Sequence, residues 1–192
     1  MFRKKWKTKE KFDEFGEKIV VEITDIEKAK TMTMNRAVTL LAAKPRSIGE
    51  LRQRLLEKSW TNAEIVETVL AKLEEYNYLN DAQFAQSYAA SQLRQKAVGK
   101  RKLQMTLSRK HLDKETVSDA LEKVYEETPE SDIVEIAIRK RIALKGKPET
   151  REAAKKFFDY FMRQGFSYDL VNAKMREIAQ AQIDDENYDE SV

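Results

Sequence analysis

Five apolar positions recur three times along this chain, and that repetition limits what it can fold into more than any other feature. At offsets of 52 residues (Leu51 to Leu103) and 54 residues (Leu103 to Phe157), Leu51, Leu103 and Phe157 align, as do Leu55, Leu107 and Phe161. A bulky residue follows at Trp60, Leu112 and Phe166, then Ile65, Val117 and Val171, then Val69, Leu121 and Met175. Spacings of four put the paired positions on one face of a helix. Thr61, Asp113 and Ser167 stand in register as caps directly after the bulky residue. Each unit therefore reads as a three-helix, helix-turn-helix-like bundle, with two apolar pairs facing each other and the bulky residue plugging the turn. Units this small bury little surface alone, so the expected fold is all-α, three modules packed end to end in an elongated, curved array.

Composition agrees with a helical chain. Five Gly and three Pro among 192 residues leave too few turn-makers for a many-stranded sandwich, barrel or propeller. Helix boundaries follow from cap signals, with nine helices expected at 32–44, 47–58, 61–76, 81–96, 100–110, 113–127, 131–145, 148–164 and 167–182. Ser47 and Thr61 each precede a Glu by three residues, the capping-box spacing. Asn80 or Asp81, Asp113, Ser131 and Ser167 are further caps, Pro148 suits a first turn, and Gly99, Gly146 and Gly165 fall at breaks. The expected divisions are a basic arm over 1–30 with a short strand at 18–24, modules over 31–77, 78–128 and 129–182, and an acidic tail over 183–192. Between modules, Tyr76 to Asn80 is aromatic and expected to pack, whereas Glu126 to Glu130 is acidic and expected to be exposed.

Catalytic and metal chemistry finds little support. The chain has no Cys, which removes disulfides, thiolate catalysis and sulfur-ligated zinc. His111 is the only His, so a multi-histidine metal site is excluded too, and its position at the end of a basic helix reads as a surface or capping residue. Gly146-Lys147 lacks the first Gly and the Ser/Thr of a phosphate loop, with Arg141 and Pro148 in those places. Asp184, Asp185, Glu186, Asp189 and Glu190 have no ligand spacing and read as a disordered tail. No enzyme, cofactor or metal is expected. No apolar run approaches the ~20 residues that span a bilayer, and no secretory pattern is visible, so a cytoplasmic protein without membrane contact is expected.

The net charge of +3 averages over strong segregation. Residues 1–11 carry six Lys/Arg and one Glu. Arg94, Lys96, Lys100, Arg101, Lys102, Arg109 and Lys110 form a stretch with no acid, while the following helix, Asp113 to Glu127, is acidic. Lys100, Arg101 and Lys102 open their helix, where the dipole disfavours cations. That placement points to a polyanion or an acidic protein surface facing them. The helices after the turns are net acidic, which argues against insertion into a major groove.

At Tyr78-Leu79-Asn80-Asp81-Ala82-Gln83-Phe84-Ala85, followed by Arg94, Gly99 and Arg101-Lys102-Leu103, the sequence resembles the RecX family of regulatory proteins. Ala37 to Ala42 through Glu50 to Leu55 resembles the family's first repeat, and Arg163 to Val171 its C-terminal motif. The resemblance covers about residues 35 to 178, with Lys100 where the family often has Pro. It implies a non-enzymatic regulator that binds the RecA recombinase filament in its groove. Such a protein inhibits strand exchange, ATP hydrolysis and coprotease activity, and so modulates DNA repair, recombination and the SOS response. A monomer with at most weak single- or double-stranded DNA binding is expected. A non-specific DNA-binding helical protein and a protein-only scaffold remain the alternatives.

Overall fold

The computed structural model describes residues 25–189, with side chains described through residue 181. Among the described residues there are nine α-helices and no strand. They are α1 (Ile26–Ala43), α2 (Ile48–Leu56), α3 (Ala63–Glu75), α4 (Asp81–Gln95), α5 (Lys100–Ser108), α6 (Lys114–Glu127), α7 (Glu130–Lys145), α8 (Arg151–Gln164) and α9 (Tyr168–Asp189). The basic arm and the strand expected at 18–24 lie outside the described residues.

Most helix starts follow from local side-chain capping, which satisfies amides that have no partner inside the helix. Ser47 Oγ accepts from Glu50 N at 3.1 Å, and Asp113 accepts from both the amide (2.8 Å) and the hydroxyl (2.6 Å) of Thr116. Ser167 Oγ accepts from Leu170 N at 3.2 Å. Four expectations change. Asp25 caps α1, accepting from Lys28 N at 2.9 Å, so that helix begins six residues before the predicted 32. Asn62, not Thr61, caps α3 by accepting from Ile65 N at 2.9 Å, since its side chain sits one residue closer to the free amides. Ser131 caps nothing, because α7 already starts at Glu130 behind Pro129. Pro148 lies before α8, whose cap is Thr150. At the other end α9 continues to Asp189, so the tail expected from 183 is helical that far.

The described residues form two compact units, one ending at Asp81 and the other beginning at Ala82. In the first, α1, α2 and α3 pack on one another around Ala37, Leu40, Leu51, Leu55, Val66, Val69, Leu70 and Leu73. Ile65 is buried as well. Trp60 departs from its repeat counterparts: Leu112 and Phe166 are buried, but the Trp60 ring is only half-buried, with Lys58 Nζ 5.8 Å from its centroid. Truncating Trp60 therefore removes less than the ~3–5 kcal/mol of a fully buried aromatic. The Tyr76 to Asn80 connector also differs from expectation. Leu79 is buried, but Tyr76 and Tyr78 are 57% and 71% exposed, because Asn77 turns the chain through a left-handed conformation (φ 57°).

The second unit has two apolar clusters. Leu103, Leu107, Leu112, Val117 and Leu121 pack with Ala85 and Ala89 of α4. Phe157, Phe161, Phe166 and Val171 pack with Ile133, Val134 and Ile138 of α7, with Met175 half-buried against them. Leu93 and Tyr125 touch both clusters, so the two bundles share side chains.

Candidate basic interface

The second unit is pinned at a backbone joint between the start of α5 and the end of α8. Gly99 N donates to Gln164 O at 2.9 Å, and Lys102 Nζ donates to Gln164 Oε1 at 3.0 Å. A Cβ on Gly99 would lie 2.3 Å from the carbonyl carbon of Gly165, and one on Gly165 would lie 2.4 Å from Lys102 N. Both positions must lack a side chain for the helices to approach this closely. Gly165 also ends α8 in a left-handed conformation (φ 92°), with Phe166 N donating to Phe161 O and Gly165 N to Met162 O, a Schellman closure. His111 takes the equivalent left-handed position (φ 58°) one repeat earlier, where it is exposed. It acts there as a helix-end residue.

Two further contacts tie the joint. Gly99 has no side chain to cap α5, and Glu130 of α7 does so across 30 residues, its Oε1 accepting from Lys100 N at 2.6 Å. A carboxylate thus stands at the positive end of a helix whose own first turn has no acid, which offsets the cations Lys100, Arg101 and Lys102. Tyr125 Oη of α6 donates to Val98 O at 2.9 Å. Burial pushes its phenol well above the usual range near 10, and the Glu130 charge adds to the shift. An unfolded phenol ionises near pH 10 and the folded one resists, so this stabilisation is intact below pH ~10 and is lost as pH rises through the folded value. Melting curves from pH 9 to 11 should show a stability loss that is smaller in Tyr125→Phe, a variant ~1 kcal/mol weaker at neutral pH for want of the hydrogen bond. Equal alkaline slopes in the two proteins would contradict this.

The joint decides where the basic residues go. Leu103 and Leu107 turn into the core, so Arg101, Met105 and Arg109 share the opposite flank of α5. With Lys102, Thr106, Met162, Arg163 and Gly165 they line a groove of about 390 Å³ between α5 and α8, and no acidic side chain faces it. Arg163, which was not among the expected interface residues, enters only because α8 lies beside α5. Its repeat register is the only sequence signal for it, since it stands 54 residues after Arg109.

The remaining members of the basic stretch are elsewhere. Arg94 lines a separate recess between α4 and α6 with Lys123, Glu126 and Glu127, where charges of both signs meet. Lys110 Nζ sits 5.2 Å from the Tyr88 ring centroid, and Lys96 and Lys100 are exposed outside the groove lining. Lys102 is half-buried and partnered by Gln164. Among the described residues no group of three or more His, Asp or Glu could hold a metal, and no helix is long and apolar enough to cross a membrane.

The class defined by this architecture is a tandem array of three-helix domains with a basic inter-helix groove. Comparison with known proteins identifies the array. Residues 34–73 match the family described as RecX, first three-helix domain, and residues 80–121 match RecX, second three-helix domain. The regulatory protein RecX of Chlorobium limicola is 33% identical over 151 residues, covering 79% of this chain and 92% of that protein. The Bacillus subtilis protein of the same name is 29% identical over 144 residues, 75% of this chain but only 54% of its relative's length. The crystal structure of RecX from Lactobacillus salivarius superposes with a TM-score of 0.71 at 20% identity, covering 80% of this chain and 99% of that one. The chain belongs to the RecX family of regulatory proteins.

Proposed function

We propose that this protein is a non-enzymatic regulator that binds the RecA–DNA filament and inhibits its recombinase, ATPase and coprotease activities. Family membership supports the regulatory role, and the single structural observation that carries the binding reading is the acid-free groove of Arg101, Arg109 and Arg163. None of those three guanidiniums has an ion-pair partner among the described residues. Arg52 binds Glu67 through two bonds of 2.6 and 2.9 Å, and Arg139 binds Glu135, so arginines of this chain pair where an acid is in reach. Three arginines with no acid among the lining residues make the groove cationic, which suits an anionic partner.

The test is a pull-down of RecA on the immobilised chain, with and without single-stranded DNA and nucleotide. Capture that requires both, together with slowed ATP hydrolysis by the filament, is the expected result. Equal capture of naked DNA, falling steeply with salt, would instead make this a non-specific DNA-binding protein. RecA capture indifferent to DNA would make it a protein scaffold.

A further inference from the structure

Exposed arginines alone could meet phosphates or carboxylates, but the groove is not lined by charge alone. Met105 is 53% exposed between Arg101 and Arg109 on the same flank of α5, and half-buried Met162 joins it from α8. Arg101 and Arg109 are two helical steps of four apart, about 12 Å along the axis, with the methionine midway. A phosphodiester backbone gains from the arginines and nothing from a thioether. Single-strand binders hold bases on aromatic platforms, and no aromatic residue lines this groove. An exposed, unbranched, polarizable side chain framed by cations instead suits a protein segment with an apolar residue between carboxylates. Charge complementarity selects the rim, and the methionines select the centre.

We infer that the α5–α8 groove docks an acidic amphipathic segment of a protein partner, with Arg101, Arg109 and Arg163 engaging its carboxylates and Met105 and Met162 receiving its apolar side chain. This rests on the filament reading above and deepens it by assigning the contact to protein and not to DNA.

The experiment places the photo-crosslinking amino acid p-benzoylphenylalanine at position 105 of the full chain and irradiates it with RecA filaments assembled on single-stranded DNA. The expected product is a protein–protein adduct whose linked peptide is acidic, and Met105→Ser should weaken filament binding about tenfold while leaving the salt dependence unchanged. Adducts to the DNA strand, or filament binding that Met105→Ser leaves intact, would overturn the inference while the filament reading stands. Failure of the unmodified chain to bind filaments at all would instead sink the filament reading, and this inference with it.

Discussion

Gly165→Ala is expected to destabilise the second unit by ~2–5 kcal/mol, combining the left-handed penalty of a β-carbon with overpacking. Two independent faults act at once. At φ 92° an alanine is strained whatever surrounds it, and its Cβ would stand 2.4 Å from Lys102 N and 2.5 Å from Lys102 Cβ. Neither neighbour is the far end of a flexible chain, so α5 must move away from α8. That motion would break the bond from Gly99 N to Gln164 O and open the groove between the helices. Gly146→Ala isolates backbone strain of another kind, since nothing lies within 4 Å but φ 78° with ψ 168° is a region that glycine alone adopts freely. Denaturant unfolding of the two variants measures the difference. A loss at Gly165→Ala no larger than the ~1–2 kcal/mol left-handed penalty would mean that close approach of α5 and α8 contributes nothing.

If the proposed filament binding runs through the groove, reversing its three charges, Arg101→Glu, Arg109→Glu and Arg163→Glu together, should weaken that binding about a hundredfold without altering helicity. Arg101 and Arg163 are not needed for the fold, since Leu103, Leu107, Phe157 and Phe161 hold their helices in place. Filament titrations followed by the inhibition of ATP hydrolysis read the loss directly. The control is Arg94→Glu with Lys96→Glu and Lys100→Glu, three reversals in the same basic stretch but outside the groove lining. Should the control lose as much as the groove variant, overall charge and not the groove governs binding.

Much of the fold was legible because helix formation is local. Pairs such as Leu51/Leu55 and Phe157/Phe161 set the buried faces by their spacing, and Ser47, Asp113 and Ser167 marked starts that the structure confirms by hydrogen bonds. The departures from that pattern are also local and small. Thr61 and Asn62 are neighbouring residues that can both cap, and only the backbone angles decide which one reaches Ile65 N. Trp60 matched its repeat partners in size, but size cannot tell how completely a neighbouring helix will cover a ring.

The candidate interface was legible only as a stretch of charge. Seven basic residues in one segment suggested one surface, yet the helical twist and the turn after α4 send Arg94 and Lys110 to different neighbours from Arg101 and Arg109. The α5 cap is a carboxylate 30 residues away, and the groove's third arginine belongs to α8.

By itself, the sequence determined the helical class, the repeating three-helix pattern and the family resemblance, because apolar periodicity and capping act over three to five residues. Only the tertiary structure decided which cations lie together. That choice depends on Gly99 and Gly165, two residues without side chains that let α5 and α8 touch. Contact between distant helices is set by packing, and nothing in the spacing of charges along the chain encodes it.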